Sequence, residues 1–485
     1  MILVNSMQMR SLDSSAVSLG IDSCVLMENA AVGLAAEVVK ANPRSVLIFT
    51  GKGQNAGDGF ACARHLYNKG IHTEIIMLAP PEALSGSALK NYEIDAAIGI
   101  KMSLFSNEEN YTADVFVDCI LGIGFKDEIS GDYKSAVEKI NSAAAYVIAA
   151  DIPSGVSADT GKIGGKCVKA DKTVTFGYPK LGLYSPLSID FVGEVVVCDI
   201  SIPRDMPQIN FVNTYLLTSE DICLPRPSRA AHKGTNGRVA IAGGSDGMIG
   251  AVLLAQDAAL HSGAGLVTCL VPERLTRLFM ARIKCSMAEP IEDSDFSKYD
   301  SVLIGNGLGT SVGAYSILQK AVKTSAKTLV IDADGINLLA NNPDILKNKS
   351  CEIILTPHPL EFARLCRRDV NEVIENRVNL AAKFAKEYGV TVVLKGAYTV
   401  VASHEGKTYT NTTGNEGMAK GGSGDVLAGI AAGLAPRYES PFDAALAAVY
   451  IHGLAGDTAA EKSGKISMTA EDIANNIPDA FKKLY

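Results

Sequence analysis

Short runs of aliphatic and β-branched residues recur along this chain, each followed by a stretch whose apolar positions return every three to four residues. In the first half, 45–50, 72–78, 114–120 and 145–151 read as strands, and 60–69 and 133–142 as helices. The runs 173–176 and 194–198 add further strands. The rhythm restarts after residue 235. Strands are predicted at 238–242, 266–271, 301–304, 328–332, 352–356, 390–394 and 398–402, with helices over 249–261, 426–435 and, unbroken, 373–388. Strands alternating with helices imply parallel sheets covered on both faces. Between these two series, Pro203, Pro207, Pro225 and Pro227 punctuate a stretch with little periodicity. A boundary near residue 215 follows, giving two different α/β domains, 1–214 and 215–485.

Length supports the division, because 485 residues exceed one ordinary core. A net charge of −8 excludes a broad basic surface, so no nucleic-acid partner is expected. An anionic small molecule stays admissible, since local amides and lysines can oppose the overall field. The first twenty residues contain one basic group, Arg10, and lack the apolar core of a signal peptide. No apolar run is long enough to span a bilayer, so no membrane association is expected. The ten cysteines form no CxxC and no Cys/His cluster, and read as small buried thiols. That usage points to a reducing compartment, the cytoplasm.

The strand 45–50 runs into Gly51-Lys-Gly-Gln-Asn-Ala-Gly-Asp-Gly59, which opens a helix. Four glycines around Asn55 and Asp58 exceed what a turn requires. The spacing is not GxGxxG, and no acidic residue stands at the ribose position, which disfavours a plain dehydrogenase. Two further polar segments close strands: Asp118, followed by Leu121-Gly-Ile-Gly-Phe-Lys126, and Asp151-Ile-Pro-Ser-Gly155. Strand carboxyl ends form the ligand crevice of an open α/β sheet. Asn55, Asp118 and Ser154 are therefore expected to converge there as hard oxygen ligands for an alkali or alkaline-earth cation.

The second half contains the strongest phosphate signal, Asn415-Glu-Gly-Met-Ala-Lys-Gly-Gly-Ser-Gly-Asp425, ahead of the helical run at 426–435. Small residues let amides approach an oxyanion, and the helix N-terminus adds partial positive charge. Gly421, Gly422 and Gly424 can form an anion hole, and Asp425 sits where a carboxylate can take a proton from a substrate hydroxyl. Other polar strand ends are Ala242-Gly-Gly-Ser245, Gly305-Asn-Gly-Leu-Gly309, Asp332-Ala-Asp-Gly335, Thr356-Pro-His-Pro359 with Glu361, and Lys395-Gly-Ala397.

With Leu26-Met-Glu-Asn-Ala30, the first-half motifs resemble the N-terminal domain of the YjeF family, the NAD(P)H-hydrate epimerases. The resemblance implies a Rossmann-like three-layer α/β/α fold, with potassium on Asn55, Asp118 and Ser154. It places the nucleotide hydrate against Gln54, Asn55, Ala56, Gly57 and Asp58, against Gly122, Ile123, Gly124, Phe125, Lys126, Asp127 and Glu128, and against Asp151. Gln54 and Ala56 stand where the family has Asn and Gly, and Ala56 requires a negative φ.

The second-half motifs are similar, in order, to the ribokinase-like ADP/ATP-dependent NAD(P)H-hydrate dehydratases. That likeness implies an adenine-nucleotide site of Lys395, Gly396, Ala397, Tyr398 and Thr399 with Asn415, Glu416, Gly417, Met418, Ala419, Lys420, Gly421, Gly422, Ser423 and Gly424. Ala251, Gly307, His358 and Asp425 would contact the hydrate. Leu360 replaces a Gly that the family commonly has after Thr-Pro-His-Pro. The fusion of both domains is the architecture of the bifunctional nicotinamide-nucleotide repair enzymes.

The activities implied are epimerisation of R and S hydrates of NADH and NADPH, with Asp151 in the acid/base role, and nucleotide-dependent dehydration of the S form, with Asp425 as base. Potassium would serve the first domain, and Mg2+ with ADP or ATP the second. A homo-oligomer is expected. A small-molecule kinase fits Gly-Ser-Gly-Asp equally well but not the fused first domain. A non-catalytic nucleotide sensor would have no use for Asp151 and Asp425.

Overall fold

A computed structural model describes every residue except Lys126, Asp127, Pro227 and Ser325. The chain divides into two compact units, Ile2–Asn213 and Thr214–Tyr485, with Met1 grouped with the second.

In the first unit the strands are β1 Ser45–Thr50, β2 His72–Met77, β3 Lys101–Leu104, β4 Val115–Cys119, β5 Tyr146–Ala150, β6 Lys172–Phe176 and β7 Glu194–Cys198. They form one parallel sheet in the order β3-β2-β1-β4-β5-β6-β7. Its helices are α1 Ser6–Ser18, α2 Ser23–Lys40, α3 Gln54–Asn68, α4 Gly86–Ile98, α5 Gly131–Ser142 and the single turn α6 Ile189–Val192. The pleat of β1 explains the three layers. Val46 and Ile48 enter one core with α1, α2 and α3, while Leu47 and Phe49 enter another with α5.

The second unit has ten strands, in the order β11-β10-β9-β12-β13-β14-β15-β16-β17-β8. These are β8 Thr214–Leu217, β9 Arg238–Ala242, β10 Leu266–Val271, β11 Met287–Pro290, β12 Ser301–Ile304, β13 Thr328–Ile331, β14 Glu352–Leu355, β15 Thr391–Leu394, β16 Val400–Ala402 and β17 Thr408–Asn411. Among the described residues of this sheet, only the pairings of β16 with β15 and β17 are antiparallel. One face carries α7 Ile249–His261, α8 Glu273–Met280, α14 Ser423–Leu434, α15 Pro441–Ser463 and α16 Ala470–Leu484. The other carries α9 Val312–Val322, α10 Asp334–Asn341, α11 Pro359–Cys366, α12 Val370–Glu375 and α13 Arg377–Tyr388. Glycine sets how closely α14 seats on α7: a Cβ at Gly429 would lie 2.3 Å from the Ala255 carbonyl oxygen.

Three predicted elements need correction. The helix at 60–69 begins at Gln54, so Asn55 to Asp58 lie inside its first turns rather than in a loop. The unbroken helix at 373–388 is two helices parted at Asn376 (φ −118°, ψ 29°), which turns Arg377 inward. The strand at 398–402 starts at Val400, because Tyr398 takes a left-handed φ of 54°. Helices α1, α2, α4, α6, α8, α9, α10, α11, α15 and α16 and strands β3, β8, β11 and β17 have no counterpart among the predicted elements.

Candidate active sites

The first unit holds a cavity of about 790 Å³ where β1, β4, β5 and β6 end. Asp118, at the end of β4, is fully buried. Its carboxylate accepts the Ser154 hydroxyl at 2.6 Å, the Ser154 amide at 2.8 Å and the Ile120 amide at 3.1 Å. Asn55 Nδ2 donates to the Leu121 carbonyl at 3.0 Å, and the Leu121 amide donates to Ser154 Oγ at 2.8 Å. Asn55, Asp118 and Ser154 thus meet around Leu121. The Asn55 side-chain oxygen, Oδ1, is buried and accepts no hydrogen bond from the described residues. Burial pushes the Asp118 carboxyl up to about 6 despite the Ser154 donors. An unpartnered amide oxygen beside a buried carboxyl and a hydroxyl is a donor set that suits a hard cation.

Asp151 closes β5 with a left-handed φ of 66°. Its carboxylate is paired with Lys180 and also accepts the Thr175 hydroxyl at 3.3 Å and the Phe176 amide at 3.2 Å. Lys180 is buried, and donates as well to Thr175 Oγ1 at 3.1 Å and the Phe176 carbonyl at 2.8 Å. Asp58 and Asp13 line the same cavity. Burial, with the charges of Asp151 and Asp13, holds Asp58 well above the ordinary carboxyl range. Burial likewise pushes Asp13 up to about 6, against the pull of Lys180.

Of the predicted hydrate contacts, Gln54, Asn55, Asp58, Gly122, Ile123, Gly124, Phe125 and Asp151 line this cavity. Ala56 and Gly57 do not. Ala56 is a core residue, and Gly57 faces Met27 and Ala88 inside the unit. Their helical register turns them inward, and Ala56, lying inside α3, has the negative φ it needs. Glu128 is exposed and does not line the cavity, and Lys126 and Asp127 lie outside the described residues. Lys180 and the α1 residue Asp13 are missing from the motif reading. A lysine beside Pro179 and an aspartate in a mixed polar stretch give no local pattern.

In the second unit, four strand ends and one helix start converge. Asn306, just past β12, donates its amide to Asp425 Oδ1 at 2.6 Å and to Asp332 Oδ2 at 3.0 Å. The other Asp332 oxygen accepts Lys395 Nζ at 2.6 Å and Thr356 Oγ1 at 2.8 Å. Burial pulls the Lys395 ammonium down, but Asp332 and Glu361 outweigh it and hold it above its ordinary value. Burial raises Asp425, and the Asn306 donor opposes that rise. Gly422, at φ 93°, caps α14, which points the α14 amides and Asp425 toward Lys395. A Cβ at Gly424 would stand 3.2 Å from Lys395 Nζ.

His358 caps α11: its Nδ1 accepts the amides of Leu360 and Glu361 at 3.2 Å. Burial and Lys395 lower its affinity for a proton, which favours the neutral ring. Leu360 is an exposed residue of the helix, so the loss of glycine there leaves the backbone unstrained. Gly307 (φ 63°) lies against Met248 at the start of α7, and Ala251 is in the first turn of that helix.

The loop from Lys395 to Thr399 rests on buried Arg377, which donates to the carbonyls of Ala397 at 2.7 Å, Leu394 at 3.0 Å and Lys395 at 3.2 Å. Asn415 is tied to Asp457 at 2.9 Å, and Glu416 to Lys465 at 2.9 Å. The Lys420 ammonium bonds to the Ile466 carbonyl at 2.6 Å and to that of Met468. Of the lysines near the start of α14, Lys395 is the one beside the Gly421 to Gly424 run.

Residues 23–182 match the model of the YjeF-related protein N-terminus, and residues 239–479 match that of NAD(P)H-hydrate dehydratase. The chain is 38% identical to the bifunctional NAD(P)H-hydrate repair enzyme Nnr of Moorella thermoacetica, over 100% of this chain and 97% of the relative. It is 34% identical to the enzyme of the same name from Thermofilum pendens, over 96% and 93%. Among solved structures, the ADP/ATP-dependent NAD(P)H-hydrate dehydratase of Bacillus subtilis, co-crystallised with ATP/Mg2+, aligns with a TM-score of 0.52 at 29% identity. That alignment spans 56% of this chain and 99% of the Bacillus chain. With relatives matched from end to end and both family models in tandem, this chain belongs to the bifunctional NAD(P)H-hydrate repair enzymes.

Proposed function

We propose that the unit Ile2–Asn213 interconverts the R and S hydrates of NADH and NADPH, and that Thr214–Tyr485 dehydrates the S form with ADP or ATP. The observation that carries the second step is the placement of Asp425 in the first turn of α14, bonded to Asn306 and facing Lys395 beside a rank of backbone amides. Asp425 takes the proton from the hydrate hydroxyl as its oxygen bonds to the terminal phosphorus of the nucleotide and the bridging P–O bond breaks. Lys395 and the amides of Gly421 to Gly424 stabilise the charge on the transferring group. Phosphate then leaves from the ring carbon, and loss of a proton from the neighbouring carbon restores the dihydronicotinamide. His358, as a neutral ring, and Gly307 orient the hydrate. Both Asp332 oxygens are already engaged by Lys395, Thr356 and Asn306, so Mg2+ would enter on the nucleotide phosphates with its own waters.

In the first unit, Asp151 is the acid/base residue, and Lys180 holds its carboxylate at the cavity wall. Asp58 and Asp13, both held toward the protonated form, line the same cavity and can donate hydrogen bonds to the bound hydrate. Asn55, Asp118 and Ser154 would hold K+, which supplies a fixed positive charge next to the bound hydrate. Asp425→Ala tests the division of labour. Nucleotide-dependent dehydration should vanish while R/S interconversion, followed by NMR, continues. Loss of both activities in a folded variant would contradict the assignment of one reaction to each unit.

A further inference from the structure

Asn306 lies in the Gly305–Gly309 motif but is given no role by the resemblance, yet it joins the two carboxylates of the second site. Its side chain is fully buried. Its Nδ2 lies 2.6 Å from Asp425 Oδ1 and 3.0 Å from Asp332 Oδ2. Its Oδ1 is buried without a partner. The orientation of the amide follows from chemistry: turned over, it would set its carbonyl oxygen against two carboxylates and leave both amide hydrogens without an acceptor. The backbone fixes the position. The Asn306 carbonyl accepts the Gly244 amide at 3.0 Å, and a Cβ at Gly243 would fall 2.3 Å from that oxygen. A continuous chain of polar contacts therefore runs from Lys395 through Asp332 and Asn306 to Asp425.

We propose that Asn306 is the positioning residue of the dehydratase step, its two amide hydrogens aiming the Asp425 carboxylate at the substrate hydroxyl and coupling it to the Lys395–Asp332 ion pair. The inference rests on Asp425 being the base. A hydroxyl would serve poorly here, because it has one hydrogen for two acceptors. A carboxylate would add a third negative charge. The charged groups that face Asp425 are Asp332, Asp334 and Lys395, and burial with the two aspartates favours the protonated, inactive carboxyl. Asn306 and Lys395 are the opposing groups, and among the described residues Asn306 alone donates a hydrogen bond to the Asp425 carboxylate. A base that must be ionised then works over a pH range whose acid side depends on this amide.

The test is the pH profile of kcat/KM for the S-hydrate at saturating ADP, in wild type, Asn306→Ala, Asn306→Ser and Asn306→Asp. The acid limb should move up by about one pH unit or more in Asn306→Ala, a fall of roughly tenfold or more on the acid side that narrows as the pH rises. Asn306→Ser, which keeps one donor, should lie between Ala and wild type, and KM for ADP should stay within about twofold, since Asn306 touches no part of the nucleotide site. Asn306→Asp should lose the most. A limb unmoved in Ala and Ser, with activity lowered equally at every pH or not at all, would overturn the proposal. If Asn306→Asp does not fold, the Ala and Ser profiles decide alone. Dehydration retained in Asp425→Ala would remove the base assignment itself, a different outcome from an unmoved limb.

Discussion

Replacing Lys180 by methionine isolates what the buried ion pair contributes to the first unit. The Lys180 side chain is 1% exposed and that of Asp151 12%. Methionine preserves the apolar stem but withdraws the ammonium, leaving the Thr175 hydroxyl at 3.3 Å and the Phe176 amide at 3.2 Å as donors to the carboxylate. An uncompensated buried charge costs about 3–5 kcal/mol. A loss of about 4 kcal/mol at neutral pH is expected.

The loss falls on the first unit, which contains both partners of the pair. Hydrogen exchange read on peptides from the first unit, in a urea series and corrected for intrinsic rates, measures this without requiring both units to unfold together. The double variant Lys180→Met/Asp151→Asn should recover most of the loss, because the charge is gone. A deficit under about 1 kcal/mol at pH 7.5, or a double variant no better than the single, would refute the reasoning.

Potassium replaced by a large organic cation should slow R/S interconversion in the wild type. Ser154→Ala should abolish that cation dependence, and a wild-type rate indifferent to the cation would contradict the assignment of Asn55, Asp118 and Ser154. Asp95 on α4 is buried with both carboxyl oxygens unpartnered, and burial pushes it up to about 8. Its folded form binds the proton more tightly, so the first unit loses stability as the pH climbs from about 4 toward 8, at up to about 1.4 kcal/mol per unit. Asp95→Asn should remove that slope. Identical stability profiles for variant and wild type, measured by the same exchange method, would show that Asp95 is not the group responsible.

Periodicity located the central strands of both sheets because a strand covered on both faces is a short apolar run, as at 45–50 and 301–304. It missed α1 and α2, whose buried positions are interleaved with small and polar residues, and the edge strands β3 and β11, which have one neighbour each and few buried positions. The glycine-rich motifs were legible as strand ends, and the topology brought most of them together as expected. Residues acting through long-range contacts were not legible. Lys180 reaches Asp151 across 29 positions, and Asn306 reaches Asp425 across 119. Lys420 likewise has partners that the motif does not announce. A lysine in a phosphate motif bonds to two carbonyls more than forty positions away, at Ile466 and Met468.

The central claim is that one chain carries both halves of the repair. An equal mixture of R and S hydrates given to the purified protein with K+, Mg2+ and excess ADP tests it directly. The account predicts that both epimers return fully to dihydronicotinamide, seen by its absorbance, with one phosphate released per NADH and no phosphorylated nicotinamide product accumulating. Recovery that halts at half, with the R form left over at a rate no faster than its spontaneous conversion, would contradict it, as would a stable phosphorylated product.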